Sequence, residues 1–457
     1  MFRFFLPEIR LLLIPLLAFA AGCAAVRSEA ASASAPASRL YAAPAPVEHA
    51  LDEPSIQPLT GEGIDELVAW AEIHHPRLRA ARERWLGALA QADTADALPE
   101  PRLAYREYIE EVETRAGPMR RALGLQQPLP AFGSRSLRRD AALATAAAAG
   151  ARMEAERLAV RADIARAHGE LYHLGRTTEF VRADVQLLGA LVRVLRARFG
   201  AGDAPHTDLA RAQVELGRLA DRLQDLEERA GPARATLNAA MGRQVSAPLA
   251  WPTELTHARL SDPDERVLRS VEEANPQLTA LAAEIVHARA LVQLTATRRL
   301  PKTTLGLEAI QIDAVDGGDG SDAWVFSLGL ELPLRRRVYR AEERAARAAL
   351  GAAAGTLDDR RNILAARART VLSRLHDAER KLDLYAAALI PKARESLEAS
   401  QAAFGTGTSD LEGVIDAQRT LLEFHLTRER ALADHQRLRA ELESLSGRTL
   451  ETERSTR

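Results

Sequence analysis

One cysteine stands in 457 residues, which excludes an internal disulfide framework and any zinc site built from several cysteines. Aromatic residues make up only 4%, too few for an aromatic-rich all-β fold. Neither sign of charge dominates: 61 Lys plus Arg stand against 63 Asp plus Glu, a net charge of −2. A dedicated nucleic-acid binder carries a basic excess or patch, so no nucleic-acid partner is expected. No HExxH, CxxC, GxSxG or GxxxxGK(S/T) string occurs, so the commonest signatures of zinc proteases, redox enzymes, hydrolases and NTPases are missing and no enzyme is expected. Four methionines and no Met or His cluster leave no evident soft-metal site and imply no cofactor. His74 and His75 are adjacent, and His168 and His173 are five apart rather than the four that puts two ligands on one helix face. What the chain does have is 47% hydrophobic residues, mostly Ala and Leu, beside 27% charged ones. That is the composition of long, close-packed helices.

The chain opens with Arg3 and Arg10 around a short basic start, followed by an apolar run from Leu11 to Ala21. Eleven residues fall short of the ~20 that span a bilayer as a helix, so residues 1–22 read as an export signal. The run ends in Ala20-Ala21-Gly22-Cys23, which resembles the lipobox of bacterial lipoproteins and marks Cys23 for lipidation. Ala24, rather than Asp, next to it resembles outer-membrane sorting. Cleavage by the ordinary signal peptidase is the alternative. Residues 23–60, rich in Ala, Ser and Pro, read as a lipidated flexible tether.

Beyond the tether the chain is written twice. Placing residue i on residue i + 205 sets LGLQQPL (123–129) on LGLELPL (328–334) and Phe199-Gly200-Ala201-Gly202 on Phe404-Gly405-Thr406-Gly407. Leu237 and Gly242 then fall on Leu442 and Gly447, and His75-Pro76 resembles Asn275-Pro276. Residues 61–260 and 261–447 are therefore expected as two structural repeats, each a helix, two strands, a long helix, a turn and a helix, with 448–457 a polar tail.

From Val160 to Phe199 the positions 160, 164, 167, 171, 174, 178, 181, 185, 188, 192, 195 and 199 alternate steps of four and three, and all are apolar except Thr178. The same spacing resumes from Leu209 to Leu237. A sustained 3.5-residue period predicts coiled-coil packing, here an antiparallel helical hairpin. In the second repeat the seam slips near Pro391, where a kink or loosening is expected. A helix over 134–198 would be roughly 100 Å long at ~1.5 Å per residue, the length of a rod or tube wall.

In Ala323 to Leu332, residues Trp324, Phe326, Leu328, Leu330 and Leu332 alternate with small or polar ones, a strand with one apolar face suited to lipid. Thr304–Ile312 is its partner, and the intervening 313–322 loop is acidic and Gly-rich, with Asp313, Asp316, Asp319 and Asp322 as weak calcium candidates. The first pair, 102–111 and 119–127, alternates poorly. Strands of about 10 residues can cross a bilayer, yet two hairpins give four strands where membrane barrels close with about 8 or more. Three chains would supply twelve. A soluble two-hairpin tongue packed on the helices is the bland alternative.

The duplicated hairpins, QQPLPAFGSR (126–135) at the strand-to-helix junction, FGTGTSDLEGVIDAQ (404–418) at a helical turn and LNAAMG (237–242) resemble the TolC family of outer-membrane efflux proteins over residues 61–447. The resemblance implies a mainly α fold with a small β part: coiled-coil hairpins forming an α-barrel, plus two β-hairpins per chain contributing to a trimeric 12-stranded transmembrane β-barrel. It implies a homotrimer in outer-membrane lipid with a long periplasmic extension, acting as the exit duct of a tripartite system with a periplasmic adaptor and an inner-membrane pump of the RND type. Carried over by position, Phe199, Gly200, Gly202, Asp203, Phe404, Gly405, Gly407 and Thr408 would form the periplasmic tip that meets the adaptor. Asp208, Asp410, Glu412 and Asp416 are candidates for an acidic ring there, and Gly413 stands where relatives more often carry Asp. The lipidated start and the 113–118 stretch before QQPLP look most like the heavy-metal efflux branch of the CzcC and CusC kind. The competing class is a lipid-anchored periplasmic coiled-coil or adaptor protein without a pore.

Overall fold

A computed structural model describes residues 63–453 apart from Thr256, residues 314–321 and Gly407. All of them lie within the compact unit Asp52–Arg457. The signal, the tether with Cys23, Gly407 and most of the acidic loop, Asp316 and Asp319 included, lie outside the described residues.

The chain runs α1 (Ile64–His74), α2 (Pro76–Thr94), β1 (Arg102–Thr114), β2 (Gly117–Leu129), α3 (Ser134–Gly200) and α4 (His206–Ala240). After the two-residue strand β3 (Arg259–Leu260) the same order returns as α5 (Asp264–Ala274), α6 (Pro276–Thr297), β4 (Lys302–Ile312), β5 (Ala323–Glu331), α7 (Arg336–Leu384), α8 (Ile390–Gly405) and α9 (Leu411–Ser446), before β6 (Thr452–Glu453). The break between α1 and α2 comes from proline: the residue before it is pushed to extended backbone, and His75 has ψ 122°. His75 Nδ1 then accepts from the Arg77 N–H at 3.1 Å and so caps α2. Two hundred residues on, Asn275 has the same ψ and its Oδ1 accepts from the N–H groups of Gln277 and Leu278.

The 67 residues of α3 form one helix, about 100 Å long at ~1.5 Å per residue. Its seam is buried as the heptad spacing requires, with Val160, Ile164, Leu171, Val181, Leu188, Val192 and Leu195 facing inward. Leu209, Ala212, Leu219, Leu226 and Leu237 of α4 are buried too. That helix runs through Pro232, which removes one ladder hydrogen bond and costs about 3 kcal/mol by itself. In the second repeat the slip has a definite form: Tyr385–Leu389 is a π-turn between α7 and α8. A π-turn holds one residue more than an α-turn, so a seam that would have continued at Leu389 resumes at Ile390, Ala393 and Leu397, all buried.

The far ends of the two repeats build matching cores. Leu67, Ile164, Leu171, Leu237 and Met241 pack in one, and Val267, Val271, Leu375, Leu438 and Leu442 in the other. Gly242 and Gly447 close the two last helices at φ +71° and +68°, the left-handed region that favours glycine. Of the segment read from the sequence as a polar tail, the described residues 448–453 are docked. Leu450 is buried in the second core, the Glu451 N–H donates to Asp262 Oδ2 at 3.0 Å, and β6 pairs with β3. One apolar residue among charged ones gives no periodic signal, which is why the sequence concealed it.

A Cβ at Gly447 would collide with the Ala274 carbonyl oxygen as well as strain φ. Gly447→Val should therefore cost about 2 kcal/mol in urea unfolding, whereas Gly87→Ala, with open space around it, should not destabilise. A Gly447→Val variant as stable as its parent would contradict this packing.

Candidate functional site

Two places carry the sequence-marked residues: the sheet and the helical turns. The sheet is four-stranded and antiparallel in the order β1-β2-β4-β5, so β1 and β5 are edges. Residues directly opposite one another share a face. Leu103 lies opposite Leu125, Leu125 opposite Leu307 and Leu307 opposite Phe326; the next row is Tyr105, Leu123, Ala309 and Trp324. Leu328 and Leu330 continue this face opposite Leu305 and Thr303. It is an apolar band across all four strands, and it is exposed: Leu103 71%, Trp324 57% and Phe326 69%. The other face carries Gly124, Gly306, Ser327 and Gly329, and an ion pair from Arg106 to Glu308. Near the β4–β5 loop it turns apolar around Ala122, Ile310 and Ile312.

Leu103, Tyr105, Leu123 and Leu125 were missed by the sequence reading. The register of β1 on β2 shifts between Glu107 and Val112, and the run of glutamates past that bulge hides the short alternation before it. Beyond the bulge, Asp313 at the mouth of the acidic loop pairs with Arg120 at 2.5 Å.

At the opposite ends of α3 and α8 the chain reverses twice. Gly200 ends α3, Gly202 takes φ +84°, and the Asp203 N–H donates to the Arg198 carbonyl at 2.8 Å. Phe199 stays exposed and sits edge-on to His206. In the second turn Gly405 ends α8, Thr408 Oγ1 donates to the Ala403 carbonyl at 3.1 Å, and Asp410 caps α9 by accepting from the Gly413 N–H at 3.2 Å. A shared cluster of Val192, Leu195, Leu209, Ala212, Leu411 and Ile415, with Phe404 against it, brings the two turns together. The Arg198 guanidinium lies over the Phe404 ring.

Of the acidic candidates, Asp208 lies in the first turn of α4 and Asp410 serves as the cap. Glu412 and Asp416 have cationic partners, Arg211 at 2.8 Å and Arg419 at 3.5 Å. Arg419 also forks onto Glu215 at 2.5 and 3.0 Å, which holds that carboxyl below its usual range. These arginines offset part of the field that an acidic ring would have.

Midway along the helices lies a polar core the sequence did not signal. Glu429 is fully buried and accepts from Tyr172 Oη at 2.5 Å and Arg428 Nη1 at 2.7 Å. Burial and that carboxylate push the Tyr172 phenol up. His257 is pushed down by burial and by neighbouring His435, which sits 3.5 Å from Glu379. His75 is a buried cap rather than a ligand, and among the described residues no three His, Cys, Asp or Glu side chains are grouped to hold a metal ion. No described helix is long and apolar enough to cross a membrane.

Asp184 on α3 is pushed up to about 6, chiefly by burial, against the lowering effect of the Gln418 amide and Arg222. An acid raised this way costs stability above its folded pKa, and the cost fades as pH falls toward the unfolded value of 3.8. Asp184→Asn should thus stabilise by about 1 kcal/mol near pH ~7.5, after allowance for partial exposure, and by nothing near pH ~3.5. Unfolding at the two pH values checks this; an equal gain at both would contradict it.

The fold is that of outer-membrane channel proteins. The chain is similar to the outer membrane protein VceC from Vibrio cholerae, with TM-score 0.71 and 19% identity over 86% of this chain and 100% of that one. It is also similar to CusC, whose structures concern folding and transmembrane channel formation, with TM-score 0.72 and 14% identity over 84% and 92%. The outer membrane efflux protein model matches residues 67–243 and 267–448, and the chain belongs to that family. Among curated relatives, the cobalt-zinc-cadmium resistance protein CzcC of Cupriavidus metallidurans is 24% identical over 370 residues, 80% of this chain and 84% of that protein. The function class is accordingly an efflux duct of the outer membrane, in a family whose solved relatives are channels rather than enzymes.

Proposed function

We propose that three copies of this chain close their sheets edge to edge into a twelve-stranded barrel in the outer membrane, and that the resulting duct carries heavy-metal cations delivered by a periplasmic adaptor and an inner-membrane pump. The observation that carries the reading is the exposed apolar band over all four strands, bounded by the unpaired edges β1 and β5. In hydrocarbon each unpaired backbone group costs several kcal/mol, so the edges need strands from other chains. The face with glycines, Ser327 and the Arg106–Glu308 pair then lines the interior. The cargo reading is supported by the likeness to CzcC. With no metal-holding group among the described residues, ion selection belongs upstream, in the pump and adaptor. Phe199, Gly200, Gly202, Asp203, Phe404, Gly405, Gly407 and Thr408 are the surface offered to the adaptor, and Cys23 is the site of the lipid anchor.

Lysine at Phe326 or Leu328 should impair membrane assembly by about 2–4 kcal/mol per site if these side chains face lipid near mid-membrane. Lysine at Ser327, on the other face, should be tolerated. Fractionation of the variants checks it, and equal assembly of all three would remove the lipid-face assignment. Cys23→Ala should abolish incorporation of labelled fatty acid, and continued labelling would refute the lipid anchor.

A further inference from the structure

The strands leave the helices and return to them at one rim of the sheet. β2 and β5 are each antiparallel to β4, so both end at that rim. Each junction holds a proline, then an exposed apolar side chain, then arginines. After β5, Leu332 continues the alternation of Leu328 and Leu330, Leu334 is 80% exposed, and Val338 is exposed a turn further on. Arg335, Arg336, Arg337 and Arg340 lie among them, exposed and without an ion pair among the described residues. The acids that follow are already taken: Glu342 pairs with Arg298 at 2.9 Å, and Glu343 with Arg299 and with Arg347, the latter at 2.6 Å. Glu331, the last residue of β5, pairs with Lys302 at 3.4 Å. After β2, an interior strand, Phe132 is 95% exposed and the Arg138 side chain is exposed beyond it. At the opposite rim Glu110, Glu111, Glu113 and Asp322 are exposed against Arg115. Cations therefore gather at one end of the apolar band and acids at the other.

Four guanidinium groups within 335–340 repel one another, and no carboxylate of the chain offsets them. Their forked donors match phosphate oxygens, and the apolar side chains between them match hydrocarbon. A bilayer surface offers the two side by side. We propose that this rim docks the anionic phospholipids of the leaflet nearer the helices, with Arg335, Arg336, Arg337 and Arg340 on the headgroup phosphates and Leu332, Leu334 and Val338 on the first acyl carbons; the placement rests on the sheet standing in a bilayer. A zwitterionic headgroup has the phosphate but also an ammonium that cancels its charge, so lipid of net negative charge is preferred. Free phosphate would satisfy the arginines and leave the apolar side chains in water. An arginine beside an anionic membrane surface contributes about fivefold in binding. Lipid held there fixes the depth at which strands give way to helices.

The test is native mass spectrometry of the full chain in neutral detergent, with phosphatidylglycerol or phosphatidylcholine of the same acyl chains added. Phosphatidylglycerol is expected to bind at least about tenfold tighter, by a margin that shrinks as salt rises. Arg335→Gln, Arg336→Gln, Arg337→Gln and Arg340→Gln together should remove the preference, and lysine at the same positions should keep most of it. Arg193→Gln with Arg196→Gln, exposed near the far end of α3, should leave it unchanged. The salt dependence of the parent protein tests the site even if the glutamine variant does not fold. Equal binding of the two lipids by the parent, or a preference that survives in the glutamine variant, would overturn the proposal. Loss of the oligomer in that variant with the lipid preference intact would assign the arginines to a neighbouring copy and overturn it too. Fractionation separates the two readings: a membrane-bound parent without lipid preference leaves the barrel standing and removes only the lipid site, whereas a soluble parent removes both.

Discussion

The structure turns on the hydrogen-bonding demand of strand edges in a medium without water. A backbone group in hydrocarbon must find its partner in protein, which limits spanning structures to helices and closed barrels. No described helix of this chain is apolar enough to cross. Its sheet has a continuous exposed apolar face and two open edges. Left in water, that face exposes large side chains; left in lipid as one copy, it leaves β1 and β5 unpaired. The proposed pairing between copies would satisfy both requirements and would turn the face with Gly124, Gly306, Ser327 and Gly329 toward a lumen.

The helices are set by the same arrangement. β2 feeds α3 through Pro128 and Pro130, and β5 feeds α7 through Pro333, so each hairpin of the sheet continues into a long helix. Along its first part α3 packs on α2 and α6; further on it packs on α4 and α9, and there its apolar residues fall into a 3.5-residue seam rather than a broad face. The repeats have not remained equal. The second carries a π-turn at Tyr385–Leu389 where the first runs unbroken, and it recruits the C-terminal Leu450 into its core.

Periodic features were legible in the sequence because they repeat many times. The seam from Val160 to Leu195, the Trp324–Leu330 face and the turns after Phe199 and Phe404 fall where spacing alone put them. Features resting on one residue or one register shift were not legible. A bulge after Glu107 masked the apolar residues of β1 and β2, and the π-turn showed only as a slip. An arginine from another helix, Arg211, changed the charge around Glu412, since residues 201 apart meet only in the folded chain; Asp416 has its partner, Arg419, one turn on in its own helix. The polar core around Glu429 depends likewise on which helices pack together, and that packing has no local signature.

Native mass spectrometry of the detergent-extracted full chain tests the central claim most directly. The account predicts particles of three chains, since four strands per copy leave two edges that only neighbours can satisfy. A predominant single-chain particle, folded and stable, would contradict it.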